Sequence, residues 1–274
     1  MKRTVGEWIR WRLQRIPRKL RLASEHAVWG ARNVRNGLRL WWELGIRHQP
    51  IADLNRYERQ FSSQNGEDGL VEAIFATIGA TDKYFVECGS GNTHECNTRY
   101  LARWKRWRGL WMDAQYLDRR GRVKQERITA ENIQALFAKY RVPKVFDLLS
   151  IDIDGNDYWV WKAIVDYYPR VVVIEYNATI PPTECRTIPY DPHYRWDGST
   201  NYFGASLLAL HQLGTQKGYA LVGCDASGTN AFFVKRHLAA GRFLAREVPS
   251  LYRPPSAFEG HGHPRDPVRT MVDV

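Results

Sequence analysis

From Gln60 onward the apolar positions fall into short β-branched runs, separated by stretches in which they recur every three to four residues. That alternation predicts a parallel sheet joined by crossover helices. The strand runs are Tyr84–Glu87, Gly109–Asp113, Val145–Asp152, Arg170–Glu175, Ala220–Val222 and Ala231–Val234, and the helix runs are Gly69–Ile78, Thr98–Trp104, Glu131–Tyr140, Tyr158–Tyr167 and Ser206–Lys217. The expected class is α/β, a Rossmann-like sheet with helices on both faces. Ahead of it, residues 1–50 read as two helical pieces punctuated by Pro17 and closed by Pro50. In the second piece Ala27, Ala31, Val34, Leu38 and Trp41 alternate at spacings of four and three beside Arg32, Arg35 and Arg39, an amphipathic helix. From Pro249 the tail holds 5 of the 13 prolines and reads as an extended wrap or a loose end. The organisation is thus an arm over 1–50, an α/β domain over 51–248 and a proline-rich tail over 249–274.

Charge changes the reading of the arm more than that of the domain. The net charge is +11, but residues 1–50 hold 12 Lys/Arg against 3 Asp/Glu, while the remainder holds 28 against 26. A basic footprint confined to the arm argues against a nucleic-acid enzyme, whose cations would surround the reading site. Five of the 11 tryptophans (Trp8, Trp11, Trp29, Trp41 and Trp42) lie in the arm. Trp and Arg beside an apolar stripe suit an anionic membrane surface or a partner, and equally the chain's own core. Cys88, Cys96, Cys185 and Cys224 are scattered without metal or disulfide spacing. With no signal sequence and no run of 18 apolar residues, the expectation is a cytoplasmic protein with peripheral membrane association through the arm. Oligomeric state stays open.

The strongest local chemistry is Phe85-Val-Glu-Cys-Gly-Ser-Gly-Asn92, a strand closing on Glu87 and a turn with Gly89 and Gly91. Such a turn after the first strand of an open α/β sheet lies where nucleotide-like ligands bind. Asp113 closes the next strand at a distance along the chain that suits an acid on ribose hydroxyls. A dinucleotide fingerprint needs glycine at 94, where this chain has His94. A pyrophosphate is also repelled by a carboxylate beside its loop, whereas S-adenosylmethionine (SAM) carries a sulfonium and an ammonium. Two further strands end in acids, Asp152, Asp154 and Asp157 after one, Glu175 and Asn177 at the other. A parallel sheet brings all of these to one edge. Their charge calls for SAM, for Mg2+ or another divalent cation with oxygen ligands, or for arginines, with Asp157 the first candidate for a plain helix cap.

With Ser63-Gln-Asn-Gly-Glu-Asp68, VECGSGN, Glu95-Cys-Asn-Thr-Arg99, Gly109-Leu-Trp-Met-Asp113, Thr129-Ala-Glu-Asn-Ile133, SIDIDGND, VVVIEYN and Asn230-Ala-Phe-Phe-Val234, the stretch from Phe61 to Val234 resembles the FkbM-type SAM-dependent methyltransferases. The resemblance implies a class I methyltransferase sheet, with Glu87, Gly89 and Gly91 around the methionine part of SAM, Asp113 on the ribose and Glu131 or Asn132 near the adenine. Asp152 and Asp154 match the family's acidic pair. It further implies O-methylation of a hydroxyl on a glycan or a small natural product. The segment Asn92-Thr-His-Glu-Cys-Asn97 departs from the family, whose turn runs straight into a helix.

Methyl transfer to a hydroxyl requires alignment and removal of a proton. One version places a divalent ion on Asp154 and Glu175; another uses His94 or His211 as base. Arg103-Trp-Lys-Arg-Trp-Arg108 is either a grip for an anionic or sugar acceptor or a solvated helix end with a packed tryptophan. Gly260-His-Gly-His263 is either a metal ligand pair or part of the tail. The reading from a different class is a noncatalytic SAM-fold scaffold docked to a membrane or a biosynthetic complex by its arm.

Overall fold

The computed structural model describes Trp42, residues 49–116, 118–255 and 263–274. The chain divides into two compact units, residues 1–49 and 50–274. The amphipathic stripe, its arginines and Trp8, Trp11, Trp29 and Trp41 lie outside the described residues, as does His261.

The second unit is built on seven strands: β1 (Tyr84–Cys88), β2 (Arg108–Asp113), β3 (Val123–Gln125), β4 (Val145–Ile151), β5 (Tyr168–Glu175), β7 (Tyr219–Cys224) and β8 (Asn230–Lys235). They are ordered β3-β2-β1-β4-β5-β8-β7. A two-residue strand, β6 (Arg186–Thr187), pairs apart from them with β9 (Val272–Asp273). Flanking helices are α1 (Glu67–Ile78), α2 (Arg99–Trp104), α3 (Ile133–Lys139), α4 (Asp157–Ala163) and α5 (Leu207–Gln216), followed by one-turn α6 (Arg236–Ala239) and α7 (Val248–Leu251). This is an α/β, Rossmann-like arrangement. Among the described residues no helix is long and apolar enough to cross a membrane.

The central strands are apolar on both faces because helices cover both. Leu148, Leu149, Val171, Val172, Val173 and Ile174 have no exposed surface. Every predicted strand run forms, lengthened by one or two residues at an end or shortened by one. The exception to parallel pairing is β8, which runs antiparallel to β5 and β7. Only Asp225–Thr229 separate β7 from β8, a length that allows a hairpin and forbids a crossover. Strand β3 and the β6–β9 ribbon were not predicted, being too short to carry a period. The helix expected over Tyr158–Tyr167 stops at Ala163, where Ile164 turns extended ahead of β5. Between Pro264 and Val274 the tail is a wrap. Asn201 donates to the Pro264 carbonyl (2.9 Å), β9 pairs with β6, and Arg269 lies 4.4 Å over the Tyr202 ring.

The amino-terminal edge of the sheet is locked by Asp147, which is fully buried in β4. It accepts from the Thr81 and Lys83 backbone N–H groups (3.0 and 2.7 Å) and the Thr81 hydroxyl, and pairs with Arg170 of β5 at 2.6 Å. Arg170 in turn donates to the Ile78 and Gly79 carbonyls at the end of α1. Asp147→Ala should lower the unfolding free energy by about 3–5 kcal/mol, since it strands the Arg170 charge and two backbone donors. Urea denaturation checks this, and a loss below about 1 kcal/mol would show that water replaces the carboxylate.

Candidate functional site

The chain order places β2 and β3 on one side of β1 and β4 on the other, so β1 and β4 flank the topological switch point, where open α/β sheets form their ligand crevice. Cys88 and Ile151 lie side by side as the last residues of these strands. Beyond them Gly89 is wedged between neighbours: its N–H donates to the Met112 carbonyl (2.9 Å), and a Cβ on it would stand 1.5 Å from the Asp152 carbonyl oxygen. With φ at +86° as well, only glycine fits there. Gly91, at φ +50°, meets nothing within 4 Å in place of a side chain, which leaves open space over the turn.

Asp113 fastens this turn. One carboxylate oxygen accepts from Gly91 N–H (2.9 Å) and the other from the Gln115 and Tyr116 N–H groups (2.8 and 2.7 Å). Of roughly four lone-pair sites on a carboxylate, three are taken, so about one remains for a ligand. Glu87 is buried and accepts from Asn97 N–H (2.7 Å), Thr98 N–H (3.3 Å) and the Thr98 hydroxyl (2.5 Å), holding the start of α2. Burial raises its carboxyl pKa, and the same hydrogen bonds oppose the rise.

Two chambers meet at Gly89, Gly91 and Asp152. The first, of 330 Å³, is walled by Asp113, Arg127, Ile128, Asp154, Tyr194 and Trp196 among others. The second, of 270 Å³, is lined by Gln64, Glu67, Glu87, Ser90, Glu95 and Asn230 with their neighbours. Both are in or near the size range of small-molecule sites, roughly 300–1,000 Å³. In the second chamber Ser90 Oγ and Asn230 Oδ1 are buried without a hydrogen-bond partner.

Asp152, Asp154 and Glu175 each offer a carboxylate oxygen, all within 4.8 Å of one another. Parallel pairing of β4 with β5 produces this, since Ile151 and Ile174 are aligned and their successors are Asp152 and Glu175. Asp154 sits at φ +57°, held by Asp157, whose carboxylate accepts from the Ile153 and Gly155 N–H groups at 2.9 Å. Asp157 therefore shapes the turn from the first position of α4 rather than capping the helix, which begins after Asn156 with no side-chain cap hydrogen bond. Strain of this kind, about 1–2 kcal/mol, recurs at functional sites. Burial and then mutual repulsion push the Asp152 and Glu175 pKa values far up; partial burial and the Asp113 charge raise that of Asp154. Asp157 is pushed up to about 6 and Asp225, behind them, to about 8, both chiefly by burial. Glu175 Oε2 is buried with no hydrogen-bond partner.

Other expectations are not met by contact with the crevice. His94 is exposed on its loop and lines neither chamber. His211 lies half-buried on α5, away from both, its pKa lowered by burial. Asn132 does not line the crevice: it accepts from Thr129 N–H (2.9 Å) and donates to the Arg127 carbonyl (2.7 Å), shaping the turn that carries Arg127 and Ile128. Glu131 is exposed and accepts from the Tyr190 hydroxyl. In Arg103–Arg108, Trp107 is packed edge-on against Phe75 (4.7 Å) and none of the run reaches the crevice. His263 packs edge-on against Trp196 at 4.7 Å, while its expected partner His261 lies outside the described residues. The four cysteines are free thiols.

The wall formed by Pro192, Tyr194, Arg195 and Trp196 was not foreseen, nor were Arg127 and Ile128. Arg127 donates to the Pro192 carbonyl (3.0 and 2.7 Å), and Tyr194 packs where a Gly155 side chain would stand. The aromatic residues between Tyr190 and Tyr202 were the only sequence signal for this wall.

A buried carboxyl with a raised pKa binds its proton more tightly in the folded than in the unfolded chain. Stability therefore falls as pH rises from the unfolded value, about 4, towards the folded one. In chelator, Glu175→Gln should raise the melting temperature more at pH 8 than at pH 5, because the upward shift of the native carboxyl makes its ionisation cost more stability as pH rises above the unfolded value. Equal shifts at both pH values in thermal melts would remove Glu175 from the buried charge cluster.

No protein-family model matches this chain, and no curated protein matches it either.

Proposed function

We propose that this chain is a SAM-dependent methyltransferase that methylates a hydroxyl of a glycan or a small natural product. The observation that carries the reading is the glycine turn at the switch point, pinned by Asp113 and opening on chambers rich in carboxylates. Glu67, Glu87, Glu95 and Asp152 around the second chamber favour a ligand bearing positive charge, and disfavour a pyrophosphate. The residues present fit SAM. Ile128 and Arg127 offer an apolar face and a guanidinium to a purine, Asp113 an acceptor to a ribose hydroxyl, and the unpartnered Ser90 Oγ and Asn230 Oδ1 acceptors to an ammonium.

SAM would supply a methyl group made electrophilic by its sulfonium. The chain's own part is to exclude water with the Tyr194–Trp196 wall, orient the acceptor and take its proton. Asp152 and Asp154 line the crevice and are the carboxylates of the acidic cluster placed for the last task, while Glu175 lines neither chamber and stands behind them within 4.8 Å. Their raised pKa values bring them nearer to the hydroxyl's, the direction that strengthens a general base. The same three suit Mg2+ or another hard cation, because the donors are all oxygen and Glu175 Oε2 lacks any other partner. Such an ion would supply the positive charge that lowers the pKa of a hydroxyl.

Calorimetry with S-adenosylhomocysteine should show one site per chain, and Asp113→Ala should weaken it at least tenfold, through loss of a charge-assisted bond worth about 1.5–3 kcal/mol and of the clamp on Gly91. Unchanged affinity in a folded Asp113→Ala protein would remove Asp113 from the cofactor site; no binding to the native chain would remove the methyltransferase reading.

For the cation, Mn2+ titrated into chelator-treated protein and followed by electron paramagnetic resonance should bind at a single site that Glu175→Gln and Asp154→Asn each abolish. Mn2+ that fails to bind, or binds equally well in both variants, leaves the carboxylates as base alone.

A further inference from the structure

At the opposite edge of the sheet lies a recess of 210 Å³, lined by Trp161, Tyr167, Tyr168, Tyr219, Lys217 and Lys235 with their neighbours. Tyr168 opens β5 and Glu175 closes it, so the recess is roughly 23 Å from the acidic crevice at about 3.3 Å per strand residue. We propose that this recess is a second ligand site, for a phosphate or carboxylate group carried on a small apolar or aromatic body.

The argument begins with the two ammonium groups. Lys217 Nζ donates to the Ile164 carbonyl at 2.7 Å and Lys235 Nζ to the Lys217 carbonyl at 3.1 Å. These carbonyls end α4 and α5, and the helix dipoles there favour a cation. That accounts for one hydrogen bond from each group, while an ammonium has three donors. No carboxylate lines the recess among the described residues. Lys235 instead rests 3.9 Å over the Tyr219 ring, a contact with a π face that leaves its charge uncancelled. Both side chains are half-buried. Desolvation and the neighbouring Lys235 charge lower Lys217 to about 8, and desolvation lowers Lys235. Two like charges drawn partly out of water into one recess are costly unless a counter-charge joins them. An anion between them removes that cost.

The apolar part of the ligand follows from the walls. Trp161 and Tyr219 are buried and form the floor, while Tyr168 and Val165 line the recess and stand half exposed. Val145, paired with Tyr168 across β4 and β5, extends this apolar lip and is 55% exposed. A bare inorganic anion would use the lysines and leave the lip in water. An anion on a ring or short chain uses both, and the small volume limits the body to about one ring.

The test is a calorimetric titration of the full chain at pH 7 with phenyl phosphate, against phenol and inorganic phosphate. Phenyl phosphate should bind at least tenfold more tightly than either, and Lys235→Met and Lys217→Gln should each weaken it tenfold or more in proteins that keep the native melting transition. In the unmodified protein, the side-chain nitrogen resonances of Lys217 and Lys235 should be the lysine signals that move in NMR, which decides the matter even if a variant fails to fold. The proposal is overturned if no heat is seen up to about 10 mM, if phenol or phosphate alone binds as well, or if other lysine signals move instead.

Discussion

At the carboxyl ends of β1 and β4 the backbone of Gly89 passes so close to the Asp152 carbonyl that no side chain can stand between them. That contact, closed by the Asp152 N–H to Cys88 carbonyl bond (3.0 Å), sets the separation of the two strands that flank the switch point. Everything chemical in the crevice hangs from it. Asp113 can reach Gly91 only because Gly89 has already turned the chain across the end of β2, and Asp152 can face Glu175 only because β4 is held in register with β1 and β5.

The crevice concentrates carboxylates in a way that works against stability. Glu87 and Asp157 are repaid by backbone N–H groups, and both are buried. Asp152 and Glu175 have no such compensation, and their pKa values are driven up by desolvation and by one another. Burying unpaired acids costs free energy that apolar residues of the same size would not. Asp157, which holds a turn, lies only five residues after Asp152, which has no such donor. This separates the scaffold of the site from the groups left for a ligand.

The remaining wall comes from the long passage between β5 and α5 and depends on contacts distant in sequence. Asn177 Nδ2 holds the Asn201 and Phe203 carbonyls at 2.8 Å, Asp266 pairs with Arg269 beside Thr200, and β9 fixes β6. The tail thus stiffens the segment that carries Tyr194 and Trp196. The mouth of the crevice is assembled from three separated stretches of chain.

The sequence by itself determined the strands and most helices, because burial on one or both faces imposes a period that survives in a single chain. It also determined the glycine turn and the acids at strand ends, since φ above zero and close approach select glycine, and parallel strands place their ends along one edge. Tertiary structure alone decided which of those acids are spent. Asp113, Glu87, Asp152 and Glu175 are all acids at or just beyond strand ends, yet the first two are bound by backbone donors and the last two are not. It also decided that His94 and Asn132 stay out of the crevice and that Arg127, Ile128 and Tyr194 form it. Loop residues carry no periodicity, and where a turn points depends on hydrogen bonds to partners far along the chain. The two lysines of the second recess show the same thing, being 18 residues apart and brought together only by the β7–β8 hairpin.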